Sequence, residues 1–188
     1  MKYQVHKNFL APDVFEKIKN LIMDQDFPWR RRDYMAPDTD AMYFNYCFYN
    51  HMNPLSELYK PYIIPILNKL HAEAPIQIRA NMSISALFKT AGWHTDYDFK
   101  CKTAILYLND CDGGTELKIN NKITFIKADA NKMLVFDTDV LHRAITSKKE
   151  PIRYVINFNY FTNGDECIYT NILKLLYGQN KNLNLLSH

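Results

Sequence analysis

Apolar residues recur at helical spacing near the start of the chain and at strand spacing through its second half. Val14, Ile18, Leu21 and Ile22 form one stripe, which predicts a helix over 12–26 with Pro12 at its first position. A second helical stretch is expected to begin at Asn53-Pro54, read as a cap and first turn. It carries Leu55, Leu58, Tyr62, Ile66 and Leu70, and Pro61 and Pro65 must kink it or split it. After Pro75 the period changes. Ile76, Ile78, Ala80, Met82, Ile84 and Ala86 alternate with Gln77, Arg79, Asn81, Ser83 and Ser85, the pattern of a strand with one apolar and one polar face. Further strands are predicted over 102–108, 115–119, 122–126, 132–136 and 152–161. The link Asn109-Asp110-Cys111-Asp112-Gly113-Gly114 has the chemistry of a hairpin turn. Several short strands with close turns argue for an antiparallel sandwich or barrel. Over 165–177, Ile168, Ile172, Leu175 and Leu176 place a last helix in the tail.

With 188 residues the chain is expected to form one domain. Its parts are a helical, lid-forming region over 1–75, a β-core over 76–162 and a tail over 163–188. The net charge of +3 is too small to mark a nucleic-acid binder, and no apolar run has the length of a membrane span. The first residues lack the apolar core of a signal peptide. Cys47, Cys101, Cys111 and Cys167 are scattered without a C-x-x-C pair. They suit reduced thiols in the cytoplasm better than a zinc site or a disulfide framework. No glycine-rich nucleotide-binding fingerprint occurs.

The candidate chemistry lies in the β-core. His94 and Asp96 stand two apart in Gly92-Trp93-His94-Thr95-Asp96-Tyr97, His142 follows the 132–136 strand, and Arg153 opens the last strand. An H-x-D/E pair alone says little, since His71-Ala72-Glu73 has the same form. His71 ends a helical stretch, however, where residues two apart point to nearly opposite sides. His94 and Asp96 lie in or beside a strand, where residues two apart share a face. Two histidines and a carboxylate can cap one face of an octahedral ion and leave the other open, which points to non-heme Fe(II) and oxygen chemistry. Arg153 would share its face with Val155, Asn157 and Asn159, a polar set that reads as a pocket. A surface salt bridge is the plainer reading of the arginine.

These segments, together with Thr103-Ala104-Ile105-Leu106-Tyr107-Leu108-Asn109, Gly113-Gly114-Thr115-Glu116-Leu117, Met133-Leu134-Val135-Phe136-Asp137 and Leu141-His142-Arg143, occur in a familiar order. Over roughly 76–161 the chain resembles the 2-oxoglutarate- and Fe(II)-dependent dioxygenases, particularly their prolyl 4-hydroxylase-like branch. The resemblance implies a mostly β fold with flanking helices, a double-stranded β-helix or cupin-like jelly roll. It implies that His94, Asp96 and His142 bind Fe(II), and that Arg153 pairs with the distal carboxylate of 2-oxoglutarate, a match for the arginine fork. It suggests Tyr107 as a second contact to that carboxylate, and Asn81 as a contact to cosubstrate or substrate. O2 would complete the reactants. The chain departs from many relatives at Phe88, where they carry a tyrosine, and at Arg143-Ala144 after the last histidine.

The implied reaction is hydroxylation of a C–H bond, with a peptidyl or free amino acid such as proline as the expected substrate. Two other readings stay open: a nucleic-acid demethylase of the same superfamily, and a non-catalytic jelly roll that binds a metal or ligand. The selector is expected in 27–52, where Trp29-Arg30-Arg31-Arg32 precedes Tyr34, Tyr43, Phe44, Tyr46, Phe48 and Tyr49. Tyr43 to Tyr49 also reads as an early strand or lid packed on the core, with Arg30 to Arg32 solvated.

Overall fold

The computed structural model describes residues 3–33 and 42–163. Eleven strands and two short α-helices are present among them: β1 (Tyr3–His6), α1 (Pro12–Ile22), β2 (Arg30–Arg32), β3 (Tyr43–Asn50), β4 (Asn53–Pro54), α2 (Ile64–Lys69), β5 (Ala74–Ile84), β6 (Lys102–Tyr107), β7 (Gly114–Ile119), β8 (Lys122–Lys127), β9 (Lys132–Asp137), β10 (Leu141–Ile145) and β11 (Ile152–Phe161). All the pairings between them are antiparallel. The larger sheet runs β1-β9-β6-β11-β5-β3-β2, with β4 beside β3, and the smaller runs β10-β7-β8. Single bridges from Thr90 to Ile145 and from His94 to His142 lay the 90–94 segment along β10, as a rudimentary fourth strand. The architecture is the mostly β jelly roll that the sequence predicts.

The period-two pattern of β5 and β11 decides which side of the large sheet does what. Ile78 and Ala80 of β5, with Ile156 and Phe158 of β11, are buried on the outer face, where Phe15, Ile18 and Ile22 of α1 join the same core. The inner face meets the small sheet through Ile105, Tyr107, Leu117, Leu134, Phe136 and Val155. Alternate positions on that inner face are polar, and these are the ones that surround the site. No helix among the described residues is long and apolar enough to cross a membrane.

Several expectations are corrected. Helix α1 ends at Ile22, not near Asp26, because the Asp24 side chain accepts the Asp26 N–H at 2.8 Å and turns the chain. Asn53-Pro54 does not start a helix. His51 and Met52 have φ of 42° and 68°, the two positive values of a tight hairpin turn, and Asn53 pairs back onto Asn50. The helical stretch begins later and is split, a π-helical turn at Tyr59–Ile63 leading into α2, which has Pro65 in its first turn. The 109–114 link is not a hairpin either. Strand β6 pairs with β9 and β11, whereas β7 pairs with β8 and β10, so the link crosses from one sheet to the other. The expected helix over 165–177 lies outside the described residues.

The crossing explains the glycines. A Cβ on Gly113 would stand 2.6 Å from the Ile145 carbonyl oxygen, and one on Gly114 2.1 Å from that of Ile126. Both obstacles are backbone, so the strands themselves would have to part. Gly114→Ala is expected to destabilise the fold by about 1–3 kcal/mol, the range of overpacking in a close-packed interior. A urea midpoint equal to that of the parent would show that β7 and β8 separate freely.

Candidate functional site

The two single bridges set up the centre of the site. His94 and His142 exchange both backbone hydrogen bonds, at 2.9 and 3.0 Å, which puts their rings side by side with centroids 4.3 Å apart. The neighbouring Arg143 strengthens this docking. Its guanidinium lies 4.4 Å from the centre of the Trp93 ring, and its Nε donates to Glu116 at 2.7 Å. The 94–96 segment is thus held by a two-residue bridge rather than by a regular strand, and Asp96 stands just past it.

Both rings present the same nitrogen. His94 Nδ1 lies 3.0 Å from the Gly92 carbonyl oxygen, and His142 Nδ1 lies 3.0 Å from that of Val140. A carbonyl can only accept, so the proton sits on Nδ1 and the Nε2 lone pair is left for a ligand, the tautomer that a metal needs. Asp96 divides its carboxylate in the same way. Oδ2 accepts from Thr103 Oγ1 at 2.7 Å and from Asn159 Nδ2 at 2.8 Å. Oδ1 faces His142 Nε2 at 3.6 Å and His94 Nε2 at 3.9 Å. Burial pushes the Asp96 carboxyl upward, but the His142 charge, the two hydrogen bonds and His94 outweigh it and hold the group ionised. Burial also pushes His142 toward its neutral form, against the pull of Asp96. Two imidazoles and one carboxylate, all within 4.8 Å of one another, make the sole cluster of potential metal ligands among the described residues. The His71-Ala72-Glu73 pair forms none.

The three ligand atoms open into a cavity between the sheets, lined also by Tyr43, Arg79, Asn81, Ser83, Thr115, Arg153, Val155 and Asn157. Arg153 is buried at 3% exposure. Its Nη2 donates to Thr115 Oγ1 at 3.1 Å, and its guanidinium carbon is 5.4 Å from the centre of the Tyr107 ring. Tyr107 donates its hydroxyl to the same Thr115 oxygen at 2.8 Å and does not line the cavity. Four buried side-chain atoms lack any partner among the described residues: Asn81 Oδ1, Ser83 Oγ, Arg153 Nε and Asn157 Oδ1. All four belong to residues that line this cavity. Buried polar atoms are almost always satisfied, so their gathering at one place marks where a polar ligand belongs.

His94, Asp96, His142, Arg153 and Asn81 are therefore brought together, whereas Tyr107 lies behind Arg153. Sequence reasoning passed over Thr103 and Thr115, which read as ordinary β-branched strand residues, and Arg79 and Ser83, which read only as the polar half of an alternation. Thr115→Val would leave the Tyr107 hydroxyl and an Arg153 N–H unpaired in the interior. A loss of about 1–3 kcal/mol is expected from such orphaned donors. Unchanged thermal stability would mean that both donors find other acceptors.

No protein-family model matches the chain, and no curated protein sequence does. Solved structures do. A prolyl-4-hydroxylase from Pseudomonas putida superposes with a TM-score of 0.61 at 14% identity, over 87% of this chain and 94% of that one. A 2OG-Fe(II) oxygenase family oxidoreductase from Burkholderia pseudomallei gives a TM-score of 0.67 at 10% identity, over 85% of each chain. A prolyl hydroxylase from Trichoplax adhaerens, bound to a peptide fragment of the hypoxia inducible factor oxygen degradation domain, gives 0.63 at 16% identity, over 85% of this chain and 83% of that one. At these identities the likeness is one of architecture: the chain has the double-stranded β-helix fold of the 2-oxoglutarate- and Fe(II)-dependent oxygenases, prolyl hydroxylases among them.

Proposed function

We propose that the protein is an Fe(II)- and 2-oxoglutarate-dependent oxygenase that hydroxylates a C–H bond of a peptidyl or free amino acid. The observation that carries this reading is the pairing, in one cavity, of the His94, Asp96 and His142 cluster with a buried arginine whose Nε is unsatisfied. The donor set suits Fe(II): two imidazoles and one carboxylate oxygen leave the remaining positions of an octahedral ion open. Arg153 suits the distal carboxylate of 2-oxoglutarate, since a fixed guanidinium fork recognises a planar carboxylate at two points. When bound, iron, 2-oxoglutarate and O2 supply the oxidising chemistry, with succinate and CO2 as coproducts.

The chain's own part is positioning. Thr103 and Asn159 turn Asp96 Oδ1 toward the histidines, and the backbone carbonyls of Gly92 and Val140 fix the imidazole tautomers. Thr115 aims Arg153, and Asn81 offers an acceptor to cosubstrate or substrate. The two sheets keep bulk water from the far end of the cavity. The peptide-bound Trichoplax structure supports a peptide or amino-acid substrate for this fold. Cys47 and Cys111 are free cysteines, which supports a reducing, cytoplasmic setting.

Anaerobic titration of the metal-free protein with Fe(II) and then 2-oxoglutarate tests the reading. A visible charge-transfer band is expected, bleaching when oxygen is admitted. Fe(II) bound without any band on adding 2-oxoglutarate would overturn the cosubstrate assignment.

A further inference from the structure

Two arginines line the cavity, and only one has been given a task. Arg79 projects from β5 on the same face as Asn81 and Ser83. In the ladder it stands opposite Asn157 of β11 and Cys47 of β3, while Ser83 stands opposite Arg153. The four-residue step from position 79 to position 83 separates the two arginines by roughly 13 Å along the sheet at ~3.3 Å per residue. Asn159 and Thr103, which hold Asp96, pair with each other one inward-facing step from Asn157. Arg79 therefore stands at the metal-ligand end of the cavity, and Arg153 at the other.

Among the described residues no carboxylate forms an ion pair with Arg79. Among the described residues Asp96 is the sole acid that lines the cavity, against two guanidiniums. A divalent ion and a dianionic cosubstrate cancel each other, so the loaded site keeps one positive charge. Arg32 adds to the field from the edge strand. It reaches inward to Asn45 at 3.3 Å, and Arg79 and Arg32 both oppose the effect of burial on the Cys47 thiol between them. Beside Arg79 stand two acceptors without donors, Asn157 Oδ1 and Asn81 Oδ1, the latter on a side chain that is only 8% exposed. A cation next to unsatisfied acceptors is complementary to an anion next to a donor.

Building on the oxygenase reading, we propose that this end of the cavity binds the head group of a free amino acid. Arg79 pairs with its α-carboxylate, and Asn157 and Asn81 accept from its ammonium group. The substrate is then a small zwitterion rather than an internal residue of a peptide, which has neither charge.

Calorimetry on protein loaded with Mn(II) and 2-oxoglutarate tests this, with the twenty free L-amino acids and their N-acetyl amides as probes. At least one free amino acid is expected to bind, and its blocked amide is not. Arg79→Gln is expected to weaken that binding roughly tenfold to a hundredfold, the loss of a charge-assisted pair, while 2-oxoglutarate binding is unchanged. Arg79→Lys, which keeps the charge without the fork, should recover part of the affinity. Binding of blocked amides as tightly as free acids, no binding by any free amino acid, or Arg79→Gln with parental affinity would each overturn the proposal. Arg79→Gln that weakens 2-oxoglutarate instead would assign Arg79 to the cosubstrate and overturn it too. Parent protein that fails to bind 2-oxoglutarate at all sinks the oxygenase reading separately; amino-acid binding that still depends on Arg79 would survive that result.

Discussion

Asp96→Ala is expected to abolish Fe(II) binding, with an affinity loss well beyond the ~10–100-fold typical of outer-shell substitutions at metal sites. The side chain supplies the sole negative charge among the three ligands, and Oδ1 is the atom that faces both Nε2 lone pairs. Without it two imidazoles remain, and no other carboxylate among the described residues lines the cavity to replace it. Thr103→Val provides the internal comparison. It removes one of the two hydrogen bonds on Oδ2 and leaves the ligand itself in place, so a loss within that ~10–100-fold range is expected. Competition titration against a metal-sensitive chelator dye measures both variants on one scale. Asp96→Ala that keeps parental affinity would remove this cluster as the metal site. Equal losses for Asp96→Ala and Thr103→Val would mean that the carboxylate serves packing and not coordination.

The strands that build the site were legible because their periodicity is a direct image of burial. Ile78 and Ala80 face one way and Arg79 and Asn81 the other, and the same holds for Ile156 and Phe158 against Arg153, Val155 and Asn157. Ile76, at the register shift between β5 and β11, breaks the alternation and packs with Phe161 and Cys101 instead. The order His94, Asp96, His142 and Arg153 carried the rest, since residues brought to one place by a jelly roll keep their order along the chain. What stayed hidden depends on partners far away in sequence. Whether Gly113 and Gly114 make a hairpin or a crossing is decided by β8 and β10, which the local turn chemistry cannot report. Strand β10 is only five residues long, and Arg30–Arg32 is three exposed arginines whose strand character comes from pairing with β3. Thr115 is informative only once Tyr107 and Arg153 are seen to share its oxygen. In each case the signal is a tertiary contact rather than a propensity.

Replacing Arg153 with methionine is expected to move stability and function in opposite directions. The guanidinium is 3% exposed, has no carboxylate in ion-pair contact among the described residues, and keeps its Nε without an acceptor. A buried charge in that state is a cost that the fold carries for the sake of a ligand. Methionine fills a similar volume without charge, and Thr115 keeps the Tyr107 hydroxyl as a donor. The loss of the contact with the Tyr107 ring, about 0.5–2 kcal/mol, works against the gain. Relief of the unpaired charge is the larger effect, and a net rise of about 1–3 kcal/mol in the unfolding free energy without cosubstrate is expected. The same change should raise the 2-oxoglutarate concentration needed for half-maximal turnover by roughly tenfold to a hundredfold, the worth of one or two charge-assisted hydrogen bonds. Turnover at saturation should fall much less, because the metal ligands and their supports are untouched. Addition of 2-oxoglutarate should then stabilise the parent protein and leave Arg153→Met unmoved, so that the two melting curves cross as its concentration rises. A variant less stable than the parent without cosubstrate would show that Arg153 is a structural cation of the core. One that still gains stability from 2-oxoglutarate would place the distal carboxylate on another residue, and Arg79 is the next arginine within the cavity.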